Sequence, residues 1–515
     1  MSEERKKIAV IGAGISGLAA GVYLANSGFD VTIYEQHILP GGLSTGWSRK
    51  GYFFEGGMHW LTGSHPSQDL YRVWRQVGAL QENNPVVNRP VITSVLGGMP
   101  DGSDLHLYRD LNKLREHLKE CSPEDFRAIK KLCRDAKKFE AVQQPIGDIA
   151  GLKTDMRMYP SLGSLIAMLP AGLSYTKLRN QSYSDYLSMF RNKNIRTLMN
   201  YIISTEENAL AFIYTLSAFT KGDSGFPTGG SMLMAQNMAD RFTSLGGKIL
   251  YKTKVQGVHI QDSVADGVII DGQIQKADGV LIAFDTLSAV NNVLKDNFSE
   301  PWVKKMQRNV VREHCMFIGL GVKVELSRYP FSMALPIEGG LEMGGIKYNA
   351  MRVYNYGNEK GYSPEGSSTL TCLLLGDSYE WWRQKKEDGT YAQEKQKLLD
   401  VFCAELEKHI PEIKGKIEVR DLATPCTYER YTSCYNGSWM SLWPPRTGAF
   451  KFPAKAKTVY GLYFANQRNK MPGGLPMCVW SGRNTAQVIC RDFKTRFRCK
   501  SLDSMSSESK DGQNE

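Results

Sequence analysis

The sequence predicts an α/β fold with a parallel sheet, interrupted by insertions that build a second, mixed α+β domain. Three observations predict it. First, the apolar run Ile8-Ala9-Val10-Ile11 leads through Gly12-Ala13-Gly14-Ile15-Ser16-Gly17 into a helix of small and apolar residues ending near Asn26. A second apolar run, Val31-Thr32-Ile33-Tyr34, follows. Second, the buried-strand run Gly279-Val280-Leu281-Ile282-Ala283-Phe284 stands far along the chain, after a helical stretch from Pro227 to Leu245 and alternating residues at Ile249, Tyr251, Thr253 and Val255. Third, Gly461-Leu462-Tyr463-Phe464-Ala465 delivers a glycine loop to a final helix. The stretches between these strand–helix units are long enough to form a domain of their own.

At 515 residues the chain holds several domains, or two large discontinuous ones, at about 150 residues per domain. Apolar residues make up 42% and charged residues 23%, with 24 Tyr, 20 Phe and 9 Trp, which excludes the disordered class. A net charge of +11 is mild over this length, and no nucleic-acid motif accompanies it. No run reaches the roughly 18 apolar residues of a membrane span, and Met1 to Lys7 is polar, unlike a signal peptide. The ten cysteines are scattered, without C-x-x-C or zinc-ligand spacing, and read as reduced thiols of a cytoplasmic protein. No metal site is expected.

The first forty residues carry the strongest chemical signal. Gly12 permits a sharp turn, Gly14 lets the backbone approach a pyrophosphate, and Gly17 lets the helix pack closely on the sheet. The helix N-terminus, with free N–H groups and the positive end of its dipole, then faces the phosphates. Glu35, ending the second strand about 20 residues beyond the first glycine, is placed to accept hydrogen bonds from a ribose. Its carboxylate, followed by Gln36 and not by arginine, disfavours a 2′-phosphate. Strand, glycine turn, helix, strand and acid together make a dinucleotide-binding fingerprint covering Gly12, Ala13, Gly14, Ile15, Ser16, Gly17, Glu35 and Gln36.

A second glycine cluster, Pro40-Gly41-Gly42-Leu43-Ser44, follows closely. It resembles the glycine doublet of the FAD-dependent amine oxidase and phytoene desaturase superfamily. The next segment, Gly51-Tyr52-Phe53-Phe54-Glu55-Gly56-Gly57-Met58-His59-Trp60, is similar to the aromatic, acid, glycine stretch of phytoene desaturases, carotenoid isomerases and retinol saturases. The resemblance implies FAD as cofactor, with Gly41, Gly42, Leu43, Ser44, Gly57, Met58 and His59 on the flavin side. For His59 a packed, hydrogen-bonded role competes with contact to flavin or substrate. The chain departs from the family in having Glu55 for the frequent Asp and Leu43 where a basic residue is frequent.

The same resemblance places backbone around Val255 against the adenine. Ala423-Thr424-Pro425 is similar to the family's threonine-proline stretch before the last flavin segment. In that segment Gln467 and the loop Pro472-Gly473-Gly474-Leu475-Pro476 are expected beside the isoalloxazine, with Gly474, Leu475 and Pro476 at the helix start. Asn466 stands where the family often has glycine. The expected FAD domain comprises residues 1–70, 222–295 and 416–497, a Rossmann-type unit. Residues 71–221 and 296–415 form the substrate domain, and 498–515 a disordered tail.

Within the first insertion, largely helical by pattern, residues 161–173 are apolar and flanked by Lys153, Arg157, Lys177 and Arg179. A buried helix lining the substrate cavity is the expectation for them, with an anionic membrane surface as the alternative partner. Tyr379-Glu380-Trp381-Trp382 fits either a pocket wall or core.

Only one complete dinucleotide fingerprint is present, since Gly319-Leu320-Gly321 lacks the third glycine, so electrons are not expected from a separately bound NADPH. Quinone and oxygen remain open as acceptors. The family resemblance implies an FAD-dependent oxidoreductase that adds or removes a double bond in a long apolar isoprenoid or polyene, by hydride transfer at flavin N5, with no catalytic side chain assigned. A redox-neutral cis–trans isomerase, a flavin amine oxidase and a flavin-containing lipid-binding protein without turnover are the alternatives.

Overall fold

A computed structural model describes residues 5–144, 146–149, 152, 161–200, 202–447, 452–469 and 473–499. Lys153, Arg157, Pro472 and the expected tail from 500 onward lie outside the described residues.

Strand β1 (Lys7–Ile11) leads into helix α1 (Ile15–Asn26) and strand β2 (Asp30–Tyr34). Strand β3 (Tyr52–Glu55) follows, then helices α2 (Phe126–Phe139) and α3 (Leu162–Asn180) of the first insertion. Helix α4 (Gly230–Ser244) and strands β4 (Lys248–Leu250) and β5 (Gly279–Ile282) come next, and β6 (Leu462–Phe464) and α5 (Leu475–Asp492) follow the second insertion. The five strands β4-β2-β1-β5-β6 form one parallel sheet in that order. The chain leaves β1 in opposite directions along the sheet, so the C-terminal ends of β1 and β5 border a crevice, the usual ligand position in such sheets.

Helix α1 is buried on all sides from Ile15 to Leu24, as a helix without a polar face must be. It packs against α5 at Gly482, where an added Cβ would come 2.4 Å from the Ser16 carbonyl oxygen. Next to β5, Val264–Ile270 and Gln273–Lys276 form a hairpin, with Asp271 and Gly272 both at positive φ (49° and 74°) in its two-residue turn.

The second large sheet has seven strands, in the order Ile417–Ala423, Cys315–Val322, Ser368–Leu375, Ile346–Asn355, Ser332–Met343, Val91–Val95 and Leu105–Tyr108. The last two strands belong to the first insertion, which is therefore not purely helical. Ile417–Ala423, on the FAD side of the expected boundary at 416, pairs with Cys315–Val322 inside this sheet. Its alternation is indifferent to which sheet it joins, and only long-range pairing decides.

Three local expectations change. The strand read into Ile249–Val255 ends at Leu250, because Lys252 turns at positive φ and Thr253 donates its backbone N–H to the Glu35 carbonyl at 2.8 Å. Tyr379 to Glu387 is a helix whose Trp382 is fully buried against the seven-stranded sheet, so these aromatics are core. The apolar segment 161–173 is a helix, as expected, but it does not line a cavity. Leu162, Leu165, Ile166, Leu169 and Leu173 of α3 are exposed.

Candidate active site

The dinucleotide turn forms because Gly12 adopts φ 105°, a conformation that costs a side-chain-bearing residue energy, while its N–H donates to the Tyr34 carbonyl at 2.8 Å. The two glycine clusters are joined: Gly41 N–H donates to the Ala13 carbonyl at 2.9 Å, and Gly14 bridges to Gly41. Glu35 locks the turn from the other side. Its Oε2 accepts from the Ala13 N–H at 2.7 Å and its Oε1 from the His37 N–H at 2.8 Å.

These loops border a cleft of about 630 Å³ at the C-terminal end of the parallel sheet. Among the residues expected from sequence, Gly12, Gly14, Ile15, Ser16, Glu35, Gln36, Gly41, Gly42, Leu43, Ser44, Val255, Gln467 and Leu475 line it. Ala13 and Gly17 do not. Ala13 is fully buried and spends its N–H and carbonyl on Glu35 and Gly41, and Gly17 is a packing glycine whose Cβ would lie 2.0 Å from the Gly12 carbonyl oxygen. Gly474 is the N-cap of α5, with Leu475 and Pro476 in its first turn.

The cleft fits a dinucleotide on its own evidence. Gly14 has φ −71°, open to any residue, and a Cβ there would meet nothing nearer than the Gly41 carbonyl oxygen at 3.9 Å. No contact among the described residues requires glycine at that position, so the backbone there leaves room for a ligand to approach closely. Helices α1 and α5 both begin at the cleft with glycine N-caps, no side-chain cap and no acid in the first turn. Helix α1 leaves several N–H groups for an anion, whereas in α5 Pro476 has no N–H and Met477 donates to the Gly474 carbonyl at 3.0 Å, so that turn offers the Leu475 N–H. The buried Ser44 Oγ, on the cleft wall, has no hydrogen-bond partner among the described residues.

Glu55 shows what its departure from aspartate does. Its Oε1 accepts from the Gly57 and Met58 N–H groups at 2.9 and 3.1 Å, and its Oε2 from the Ser231 N–H in the first turn of α4 at 2.8 Å. The residue fastens the end of β3 to a helix N-terminus, and burial pushes its carboxyl up despite these bonds. Met58 is core. Gly57 packs tightly behind Ser44, where a Cβ would come 2.3 Å from Ser231 Oγ and 2.8 Å from Ser44 Cα, and Gly57, Met58 and His59 are not among the residues that line the cleft.

His59 borders a second, smaller cavity of about 30 Å³, room for one water molecule. Its ring stacks on Tyr354 at 3.4 Å and 11°, its Nδ1 meets the Tyr356 hydroxyl at 3.4 Å, and its buried Nε2 has no partner. Burial, aided by the nearby Arg352 charge, pulls the imidazole down to about 3, so it is neutral at ordinary pH. Trp60, Phe219, Phe226 and Phe331 give the cavity its apolar wall, and Arg89, Arg109 and Arg352 its charge.

Sequence reading missed the far wall of the cleft. Asp285 follows β5 and Arg468 follows β6, and they form a buried ion pair, Nε to Oδ2 at 2.8 Å, with Arg468 also donating to Ser438 Oγ at 2.5 Å and Ser441 Oγ at 3.3 Å. Asn466 ties the same strand ends, its Nδ2 donating to the Phe284 carbonyl at 3.1 Å and Thr286 Oγ1 at 2.7 Å. The one available signal was position: polar residues just past the ends of parallel strands. Cys434 and Cys478 also reach the cleft, and burial pushes their thiols up to about 12 and about 11.

Comparison with known proteins agrees with this geometry. The model of the flavin containing amine oxidoreductases matches residues 15–490. The chain belongs to this family. FAD is its cofactor, and it is an FAD-dependent oxidoreductase of the amine oxidase superfamily. Curated proteins similar to it include an all-trans-retinol 13,14-reductase from Danio rerio (24% identical, 93% of this chain and 84% of that protein). A chloroplastic prolycopene isomerase from Daucus carota is 22% identical over 96% of this chain and 81% of that protein. A lycopene-forming phytoene desaturase from Pseudescherichia vulneris is 22% identical over 95% and 100%. A solved putrescine oxidase variant with redesigned cofactor binding superposes with a TM-score of 0.61 at 16% identity, covering 95% of this chain and 99% of its own, which establishes the fold.

Proposed function

We propose that this flavoprotein adds or removes a double bond in a long apolar isoprenoid or polyene. The observation that carries the reading is the chemistry of the cavity beside His59. Three guanidinium groups and a largely aromatic and aliphatic wall meet there, and although Arg89 is paired with Glu359, no carboxylate lines the cavity itself among the described residues. Arg109 is held by three backbone carbonyls, those of Arg89 (2.5 Å), Phe219 (2.8 Å) and Ser224 (2.8 Å), so its positive charge stays in a low-dielectric setting. A protonated amine entering here is repelled, whereas a hydrocarbon, with or without a hydroxyl or carboxylate end, is not. The carotenoid- and retinol-directed names of the curated relatives support the same substrate class.

In this proposal the uncapped N-termini of α1 and α5 supply N–H groups to the anionic parts of FAD. Glu35, whose two oxygens each retain a lone pair beyond the bonds above, accepts ribose hydroxyls. Backbone near Val255 meets the adenine, and Ser44 Oγ gains a partner. Bound flavin supplies hydride acceptance or donation at N5. Cys434 and Cys478, held as thiols by burial, present no thiolate nucleophile to it. His59 keeps a neutral ring beside the substrate, and its Nε2 is the polar atom free to meet one there. At about 30 Å³ the cavity does not hold an extended chain, so Trp60, Phe219 and their neighbours must move aside on binding.

The test is anaerobic loss of the flavin absorption band when FAD-loaded protein meets saturated isoprenoids, partly desaturated polyenes and primary amines. Bleaching by an isoprenoid identifies a desaturase half-reaction. Reoxidation of chemically reduced protein by a polyene identifies saturation, and geometric change without net redox identifies isomerisation. Bleaching by amines alone overturns the proposal.

A further inference from the structure

Helix α3 is amphipathic with its faces reversed. Leu162, Leu165, Ile166, Leu169 and Leu173 recur at i, i+3, i+4, i+7 and i+11, which places them on one stripe of a helix. The two buried residues of α3, Ala171 and Leu178, lie on the opposite side, about 160–180° around the axis at 100° per residue. The apolar stripe therefore faces outward, with Leu162 75% and Leu173 89% exposed. Gly163, Pro170 and Gly172 within it are poor helix formers in water, and packing on two buried side chains is slight compensation.

The neighbouring helix says what covers the stripe. Helix α2 packs beside α3, with Lys138 Nζ donating to Ser174 Oγ at 3.2 Å. Arg127, Lys130, Arg134 and Lys137 are exposed along one face of α2, with Lys137 paired to Glu140 at 2.6 Å just past the helix end. Its one acid, Asp135, is buried and engaged by Lys131 and by the Tyr186 hydroxyl. Lys177 adds exposed charge in the last turn of α3, while Arg179 there is half-buried and donates to the Thr447 carbonyl at 2.7 Å. An outward aliphatic stripe beside a basic stripe matches the interface of an anionic bilayer, where acyl chains lie under negative headgroups. No described helix is long and apolar enough to cross a membrane, and the stripe from 162 to 173 is roughly 17 Å long, so α3 would lie in the plane of the interface.

We infer that α3, flanked by the basic face of α2, docks the protein on the surface of an anionic phospholipid bilayer. The inference is independent of the substrate reading. FAD-loaded full-length protein should float with phosphatidylcholine vesicles containing about 30 mol % phosphatidylserine, and less with pure phosphatidylcholine. The triple variant Leu165→Ser/Ile166→Ser/Leu169→Ser should bind at least about tenfold more weakly. Arg127→Glu/Lys130→Glu/Arg134→Glu should abolish the preference for phosphatidylserine. Retained flavin absorbance and an unchanged unfolding temperature show that the variants are folded. As a readout that needs no multiple variant, an environment-sensitive dye on the thiol of Leu173→Cys should shift to the blue when vesicles are added. Wild-type protein that stays with the pellet, a triple variant that floats as well as wild type, or a vesicle-free dimer that the triple variant dissociates would each overturn the inference, the last in favour of a second copy of the chain.

Discussion

The backbone N–H of Ala13 donates to Oε2 of Glu35 at 2.7 Å, so the glycine turn after β1 and the acid after β2 form one hydrogen-bonded unit. Removing the carboxylate acts twice: the proposed ribose acceptor disappears, and a buried N–H loses its partner at about 1–3 kcal/mol. Glu35→Ala should therefore release FAD on dialysis, with affinity reduced roughly 10- to 100-fold by titration of the apoprotein. Full flavin occupancy in the variant would falsify the assignment of Glu35.

The fingerprint glycines separate by role. Gly17→Ala drives a Cβ to 2.0 Å from the Gly12 carbonyl oxygen and should prevent stable folding. Gly14→Ala meets nothing closer than 3.9 Å, so the apoprotein should keep its unfolding temperature while losing FAD affinity. Equal loss of apoprotein stability in the two variants contradicts the view that Gly14 serves the ligand.

Arg468 and Asp285 are a buried pair, at 1% and 2% side-chain exposure. Asp285→Asn leaves the guanidinium without its carboxylate and should cost about 3–5 kcal/mol, measured by denaturant unfolding of the apoprotein. The double change Asp285→Leu/Arg468→Met, which removes both charges, should recover part of that loss.

Two buried carboxyls should make stability fall with rising pH. Burial pushes Glu313 up to about 8, with the Glu207 charge adding to it, and pushes Glu207 up to about 7. Each folded-state value lies above the unfolded one near 4.5, so between the two the native state holds a proton that the unfolded chain has released. The stabilisation is complete below about pH 4.5 and is lost as pH rises through about 7 to 8. Glu313→Gln, neutral at all pH, should raise the unfolding temperature by about 1–3 °C at pH 8 relative to wild type and show little difference at pH 5. A constant offset between the two proteins across that range counts against burial as the cause.

The cofactor half of the site was legible because its chemistry is local. Gly12 to Gly17, Glu35 and the Gly41-Gly42 doublet lie within about forty residues, and turn geometry, helix polarity and strand length act over such distances. Ala13 illustrates the limit. Its place in the motif suggests a ligand contact, but its N–H and carbonyl serve Glu35 and Gly41. The Asp285–Arg468 pair was illegible because the two residues are far apart in sequence and meet only when β5 and β6 align.

What the sequence by itself determined is the parallel-sheet domain, its FAD fingerprint and the order of its segments, since short-range periodicity and backbone requirements specify them. Only the tertiary structure decided that Ile417–Ala423 joins the seven-stranded sheet, that guanidinium groups gather around His59 and that the apolar stripe of α3 faces outward. A hydrophobic pattern states that a face must be covered, and the packing of elements remote in the chain settles by what.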